Sequence, residues 1–476
     1  MNFRVVLYVL GGLLRLLGLF MIVPLGVSYY YGESLTPFLV SIFITTVTGF
    51  LLLSYKTDEE WMRKEGIAIV ALGWLAAAIF GAIPFMLDGI SPLNAVFESM
   101  SGFTTTGSTI LTDIESHPKG ILFWRGLIMW LGGMGIIVLF IAILPKLGVA
   151  GRQLFRAEAP GPTEEKLKPR VRETARILWS IYFVISFLMV VSLLLAGVSL
   201  YDSLNHMFAA MGCGGFSNYG QSIGAFNSPL VEYIITFFTF VAGANFALYY
   251  RAIYIDKNLL FKDDEFLFYI ALILAASGIL TFLLWRDLGT NLSDSFRYAI
   301  FHVVTIITST GFATTDFNLW SESAKMILII VMFIGACAGS TGGGIKVVRI
   351  LILLRHSRIE LFKALHPRAV RNVKFNNKIV PDEIVNSIVS FVVIYLLVFL
   401  SSALILSVLG MDIITSITAS IVTLGNIGPG LNVVGPMGSF DPIPPLGKLV
   451  LIANMWIGRL EVYTVILLFT PEFWKK

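Results

Sequence analysis

A chain of 476 residues in which 56% are hydrophobic and only 13% are Asp, Glu, Lys or Arg is far less charged than a soluble domain, where about a quarter of residues carry charge. Its small excess of Lys and Arg, 34 against 30 Asp and Glu, is spread over loops, which excludes the basic cluster on a soluble domain that nucleic-acid binding needs. Two cysteines, Cys213 and Cys337, exclude a disulfide framework, and their apolar neighbours mark both as small buried packing residues.

Most of the chain must therefore lie in lipid, where only helices and closed barrels satisfy their own backbone. Runs such as 67–86 and 180–198 are nearly free of charge over the length of a bilayer helix. The alternating pattern of barrel strands is missing. In chain order the sequence predicts ten spanning helices: 4–30, 35–55, 65–87, 120–145, 172–198, 228–254, 264–285, 323–356, 380–408 and 446–470. The first is too long for a signal peptide and lacks a small-residue cleavage site, so it reads as a mature helix. Lys and Arg gather at 56–64, 146–176, 251–262 and 349–378, and the turn at 31–36 has none. The positive-inside rule then puts both termini in the cytoplasm of a multi-pass membrane protein.

Four stretches on the opposite side break the pattern. Each is a short apolar run that ends in glycine. Ser91 leads into Thr104-Thr-Thr-Gly-Ser-Thr109, and Tyr201 into Met211-Gly-Cys-Gly-Gly-Phe-Ser-Asn218. Ser293 leads into Thr308-Ser-Thr-Gly-Phe-Ala-Thr-Thr315, and Met411 into Thr423-Leu-Gly-Asn-Ile-Gly-Pro-Gly430. Gly107, Gly215, Gly311 and Gly428 are separated by 108, 96 and 117 residues. The later runs open on the capping types Asp202, Ser293 or Asp294, and Asp412, the first on Ser91-Pro92.

A helix, a half-spanning helix, a glycine turn and a second helix thus repeat four times. The fold expected is an all-α polytopic membrane protein with four pseudo-symmetric helix–pore-loop–helix repeats around a central pore. Two extra N-terminal helices precede the repeats. The units are 1–60 (extension), 61–150, 151–257, 258–360 and 361–476. Irregular backbone at membrane depth is tolerated where it is buried or lines a cavity, and a ring of carbonyl oxygens replaces the hydration shell of a monovalent cation. Half-helices running inward add the partial negative charge of their C-termini. Thr105 and Thr106 add hydroxyls, and no loop carries an acidic ring. Glycine and threonine also serve plain helix packing, a reading that four matching loops weaken.

Stretches throughout the chain resemble the Trk/Ktr/HKT potassium-transporter superfamily, in its TrkH-type membrane subunit. They are Met100-Ser-Gly-Phe-Thr-Thr-Thr-Gly107, Arg156-Ala-Glu-Ala-Pro-Gly-Pro162, Ala338-Gly-Ser-Thr-Gly-Gly-Gly-Ile-Lys346, Leu365-His-Pro-Arg-Ala-Val370 and Gly458-Arg-Leu-Glu461. The resemblance implies a selectivity filter at Thr105, Thr106, Gly107, Cys213, Gly214, Gly215, Ser309, Thr310, Gly311, Asn426, Ile427 and Gly428. K⁺, the transported ion, would sit against Thr105, Thr106, Cys213, Gly214, Ser309, Thr310, Asn426 and Ile427. In the superfamily a glycine in every loop goes with K⁺, and a serine in the first with Na⁺ preference in some plant members. Cys213 is a departure, and it leaves open whether Gly214 or Gly215 lines the pore. The resemblance also implies a homodimer in the cell inner membrane. Beneath it would dock a cytosolic nucleotide-binding regulatory subunit of TrkA type, with nucleotide held on that partner alone.

The eighth span is interrupted by Gly335-Ala-Cys-Ala-Gly-Ser-Thr-Gly-Gly-Gly-Ile-Lys346, whose glycines each cost a helix about 1 kcal/mol relative to Ala. A gate is expected there, at Gly339, Ser340, Thr341, Gly342, Gly343, Gly344 and Lys346, together with Arg459 in the last span. A simple kink is the plainer alternative. Arg459 faces the pore, pairs with Glu461 or lies near a polar end, because a central charge is costly in lipid. Lys346 either joins it or snorkels to the cytoplasm. Glu98 reads as a buried hydrogen-bonding scaffold, and His206 and His302 as packing or capping groups. No paired carboxylates, zinc-type His pair or nucleophile with a base lies within the spans, so an enzyme is not expected. A sodium or poorly selective monovalent-cation transporter, ion-coupled or not, is the alternative to K⁺-selective uptake.

Overall fold

In the computed structural model the described residues are 1–56, 63–142 and 167–475, with side chains at 63, 136–142 and 167–174 left out. Residues 146–166, with the Arg156–Pro162 motif and much of the basic segment 146–176, lie outside them. So do residues 57–62 of the first basic loop.

The described residues are built from helices, with one small hairpin among them. Phe3–Tyr30, Thr36–Leu53, Lys64–Leu87, Ala175–Leu195, Asp264–Leu288 and Asp382–Val408 are each long and apolar enough to cross a bilayer. The last three bury only 33% of their most apolar window; the remaining side chains, Phe187, Leu274 and Leu404 among them, point outward. A soluble surface would not carry so many large apolar groups. Lipid covers them.

Two expected spans are bent. Pro229–Ala242 turns by 87° into Phe246–Tyr254, and Pro445–Arg459 by 113° into Tyr463–Phe469. The sequence predicts one spanning helix over each of 228–254 and 446–470. At the first break Gly243 is followed by Asn245, whose side chain accepts from the N–H groups of Ala247 and Leu248 and starts a new helix. At the second, Glu461 takes φ +54°, which a continuing helix cannot accommodate. The eighth span is interrupted as expected, between Glu322–Phe333 and Val347–Leu365.

The four half-helices are Pro92–Phe103, Leu200–Gly212, Leu292–Ile307 and Ile413–Leu424. Their caps are Ser91, Ser199, Asn291 and Asp412. For the second and third this corrects the sequence reading. Ser199 and Asn291 accept from the N–H groups of Asp202 and Asp294, and those carboxylates accept in return from the cap side chains. The cap and the third helical residue thus hold each other through side-chain bonds, which fixes the first turn. The half-helices sit at the centre of the molecule. Phe97, Met100, Val303, Val304, Ile421 and Val422 join one buried cluster, and Met207, Phe208 and Ala209 a second.

Candidate functional site

Each half-helix ends in the same backbone manoeuvre. Two positions in each following loop take left-handed φ: Thr105 and Gly107, Cys213 and Gly215, Ser309 and Gly311, Asn426 and Gly428. The residue between them donates its N–H to the carbonyl five residues earlier in its own half-helix. Thr106 reaches Ser101 at 2.7 Å, Gly214 reaches Ala209 at 2.8 Å, Thr310 reaches Thr305 at 2.7 Å and Ile427 reaches Val422 at 2.8 Å. One loop N–H per repeat is thereby satisfied by the half-helix that leads into it.

The four loops close a ring. A Cβ on Gly107 would strike the carbonyl oxygen of Gly214, one on Gly215 that of Thr310, one on Gly311 that of Ile427, and one on Gly428 that of Thr106. Each glycine therefore faces the carbonyl preceding the glycine of the next loop, and the fourth returns to the first. Only glycine tolerates both the left-handed φ and the approach. In the second loop Gly215 matches the other three in φ and approach, while Gly214 sits between the two left-handed residues. Ser108 Oγ donates to Gly428 O at 3.0 Å, and Asn426 Nδ2 to Thr106 Oγ1 at 3.0 Å, tying the fourth loop to the first.

A polar side chain on three half-helices lies nine residues before its glycine: Glu98, His206 and His302. Glu98, fully buried, accepts from Ile110 N at 2.9 Å, Thr109 Oγ1 at 2.9 Å and Arg125 Nε at 2.6 Å. His206 bonds Ser217 Oγ at 2.9 Å. In the fourth repeat Thr418, one residue earlier, accepts from Leu431 N at 3.0 Å. These groups pin the chain leaving the ring. His302 takes the Tyr298 carbonyl at 2.8 Å and packs edge-on against Trp320.

A cavity of about 250 Å³ opens on the far side of the ring, lined by all four glycines, Arg125 and Tyr219 among others. Partial burial, and next the Asp202 carboxylate, push the Tyr219 phenol up to about 12. Its hydroxyl stays a donor, to Asp202 Oδ2 at 3.1 Å. Among the described residues no group of three or more His, Cys, Asp or Glu side chains gathers.

The glycine-rich segment covers the opposite side. Its legs are joined by Gly335 N to Ile345 O at 2.7 Å and Val347 N to Ala336 O at 3.1 Å, and Gly339 and Gly344 turn it with left-handed φ. Gly343 N donates to Ser309 Oγ at 2.6 Å, and Thr341 Oγ1 lies 3.0 Å from Cys213 Sγ. Two of the four loops are therefore bonded to it directly. The break in the sixth span receives it too: Cys337 N reaches Gly243 O at 3.0 Å and Phe246 N reaches Gly339 O at 3.2 Å.

Arg459 is 3% exposed. It donates to Thr341 O at 2.7 Å and to Gly132 O at 3.1 Å. Its expected partner Glu461 pairs with Arg349 instead. Lys346 is buried and donates to Gly342 O, which settles against snorkelling. Sequence reasoning missed Glu265, a buried carboxylate that accepts from Ala338 N in the segment and from Val348 N in the first turn of the helix that follows it; a charge in the first turn of a span was its only signal.

A family model described as TrkH, a cation transport protein, matches residues 34–476. The chain is 38% identical to the Trk system potassium uptake protein TrkH of Halomonas elongata, with 100% of both chains covered. It is also 38% identical, again over 100% of both, to the protein of that name from Escherichia coli K12. The crystal structure of the potassium transporter TrkH from Vibrio parahaemolyticus matches it with a TM-score of 0.91 at 35% identity, covering 100% of both chains.

Proposed function

Since the chain belongs to the TrkH family of cation transport proteins, a family of transporters rather than enzymes, we propose that it carries K⁺ into the cell through the ring of four glycine loops. The ring is read as the selectivity filter. Dehydrated K⁺ exchanges its water for the carbonyls around Gly107, Gly215, Gly311 and Gly428 and for nearby hydroxyls such as Thr106 and Thr310. The partial negative ends of four half-helices lower the energy of a cation there. An inside-negative membrane supplies about 2.3 kcal/mol per charge per 100 mV, enough to drive uptake without a coupled ion.

The segment 335–346 is read as the gate, held beneath the filter by Arg459, Cys213 and Ser309. Displacing it requires breaking the bonds at Thr341 and Gly343. A cytosolic nucleotide-binding subunit of TrkA type, acting on a homodimer from the cytoplasmic side of the inner membrane, is the proposed source of that displacement. Both termini lie on that side in this reading, and the repeats follow the boundaries expected from the sequence.

The observation that carries the filter reading is the cyclic approach of each glycine to the next loop's carbonyl. The test is cation flux into proteoliposomes holding the purified chain, comparing K⁺, Rb⁺, Na⁺ and Li⁺, with Gly107→Ser alongside. Uptake of K⁺ and Rb⁺ over Na⁺ and Li⁺, relaxed in the variant, is expected. Flux without discrimination would keep the pore and overturn the K⁺ assignment in favour of a poorly selective transporter. Absence of flux with the regulatory subunit present would overturn the pore.

A further inference from the structure

Glu265 lies in the first turn of the helix Asp264–Leu288 and is 3% exposed. One of its oxygens, Oε1, accepts from Ala338 N at 2.7 Å and from Val348 N at 3.1 Å. These amides stand on either side of the loop, Ala338 on its entering leg and Val348 in the first turn of the helix that leaves it. A single carboxylate oxygen therefore staples the base of the loop, about where the legs already bond each other. Hydrogen bonds to a charged acceptor are roughly twice as strong as neutral ones, and a low-dielectric site strengthens them further.

The two residues before Glu265 are held by a cytoplasmic hairpin. Lys374–Phe375 pairs with Lys378–Ile379, and Asn376 and Asn377 turn between them with φ of +47° and +61°, the type I′ geometry of a two-residue hairpin. Asn376 grips the helix start three ways. Its Oδ1 accepts from Asp264 N at 2.8 Å, its own N donates to Asp264 Oδ2 at 2.9 Å, and its Nδ2 donates to Asp263 Oδ2 at 2.8 Å. Arg355, on the helix that leaves the loop, donates to Asp264 Oδ2 at 2.7 Å and to Lys374 O at 2.6 Å. An unbroken run of bonds thus joins an exposed hairpin to the base of the loop.

We propose that Glu265 is a positioning residue that holds the loop shut, and that the hairpin 374–379 acts on the loop through it. The proposal rests on reading the segment 335–346 as the gate. A pull on Asn376 that rotates the first turn of the helix withdraws Oε1 from both amides at once, so one movement frees both ends of the loop. The hairpin is where a cytosolic partner has leverage.

The test uses the full chain in proteoliposomes without any regulatory subunit. Glu265→Ala is expected to raise basal Rb⁺ flux about tenfold, the factor that 1.4 kcal/mol makes, and Glu265→Gln, which keeps a weaker acceptor, by less. Asn376→Ala is expected to raise flux alone and to add nothing in the Glu265→Ala background. Amide hydrogen exchange reads the staple itself and basal flux reads the gate: Glu265→Gln should speed exchange at Ala338 and Val348 and raise flux, while the half-helices keep their protection. Deleting residues 340–343 separates the two readings. Raised flux in the deletion with parental flux and exchange in both Glu265 variants would overturn the role of Glu265 and leave the gate. Parental flux in the deletion would overturn the gate reading itself, whatever the Glu265 variants do. Additive effects of Asn376→Ala and Glu265→Ala would overturn the route through the hairpin.

Discussion

Gly215→Ala places a methyl where the second loop crosses the third. Its φ of +72° makes any side chain cost about 1–2 kcal/mol in backbone strain. The methyl also lands well inside contact with the Thr310 carbonyl oxygen, and such crowding adds about 1–3 kcal/mol. Thr310 has little freedom, since its N–H is held by Thr305 O at 2.7 Å. Its carbonyl must swing by on the order of 1 Å to recover an ordinary separation. That displacement falls on an oxygen assigned to the ion. Gly214→Ala is the control one residue away: Gly214 lacks a left-handed φ, and a methyl there meets the Met129 side chain, with its sulfur at 2.6 Å. Methionine is adaptable and can move aside. Rb⁺ uptake by proteoliposomes with Na⁺ as competitor distinguishes the two. Gly215→Ala should lose about tenfold or more in discrimination, equal to 1.4 kcal/mol at the ion, and Gly214→Ala should stay close to the parent. Loss of discrimination in Gly214→Ala with retention in Gly215→Ala would refute the register assigned to the second loop.

Arg459→Ala removes the donors to Thr341 O and Gly132 O, each such loss being worth about 1–3 kcal/mol, so basal flux should rise at least about tenfold; unchanged flux in a folded variant counts against the arginine as a latch. Glu98→Gln leaves Arg125 buried beside a neutral partner, where the parent pair is 2.6 Å apart with side chains 0% and 3% exposed. Breaking such a pair costs about 3–5 kcal/mol, read as a clear fall in Tm in detergent. In a Cys337→Ser background Cys213 is the sole thiol, buried behind Thr341. A cationic methanethiosulfonate applied from the cytoplasmic side should therefore block flux only after the regulatory subunit opens the loop, and block before opening would show the loop is not the barrier.

Periodicity and glycine spacing made the helices and the four loops legible, because both are local signals. The ring's direction was not: the contact between Gly107 and Gly214 depends on how repeats pack, and Cys213 disguised the second loop. The bends at 243–245 and 460–462 stayed hidden because both helices are apolar on either side of the break. The break is announced only by Asn245 as a cap and by an arginine and a glutamate at 459 and 461. Arg459 was visible as a costly charge, yet its acceptors lie 118 and 327 residues away. Glu265 was invisible for the same reason, its partners being 73 and 83 residues distant. Side chains that act on backbone carbonyls and amides far along the chain leave no motif.

The segment beneath the ring comes from one repeat of the four, between Phe333 and Val347. Where identical subunits surround a pore, each moves its own share of the barrier, and partial openings with intermediate currents are available. Here a single strap lies beneath the ring, bonded to the second loop at Cys213 and the third at Ser309. With this strap as the gate proposed above, conduction through each chain is expected to be a one-event process, with exponential dwell times and a single current level. A second copy of the chain beside it would add a second, separate level instead of steepening the first.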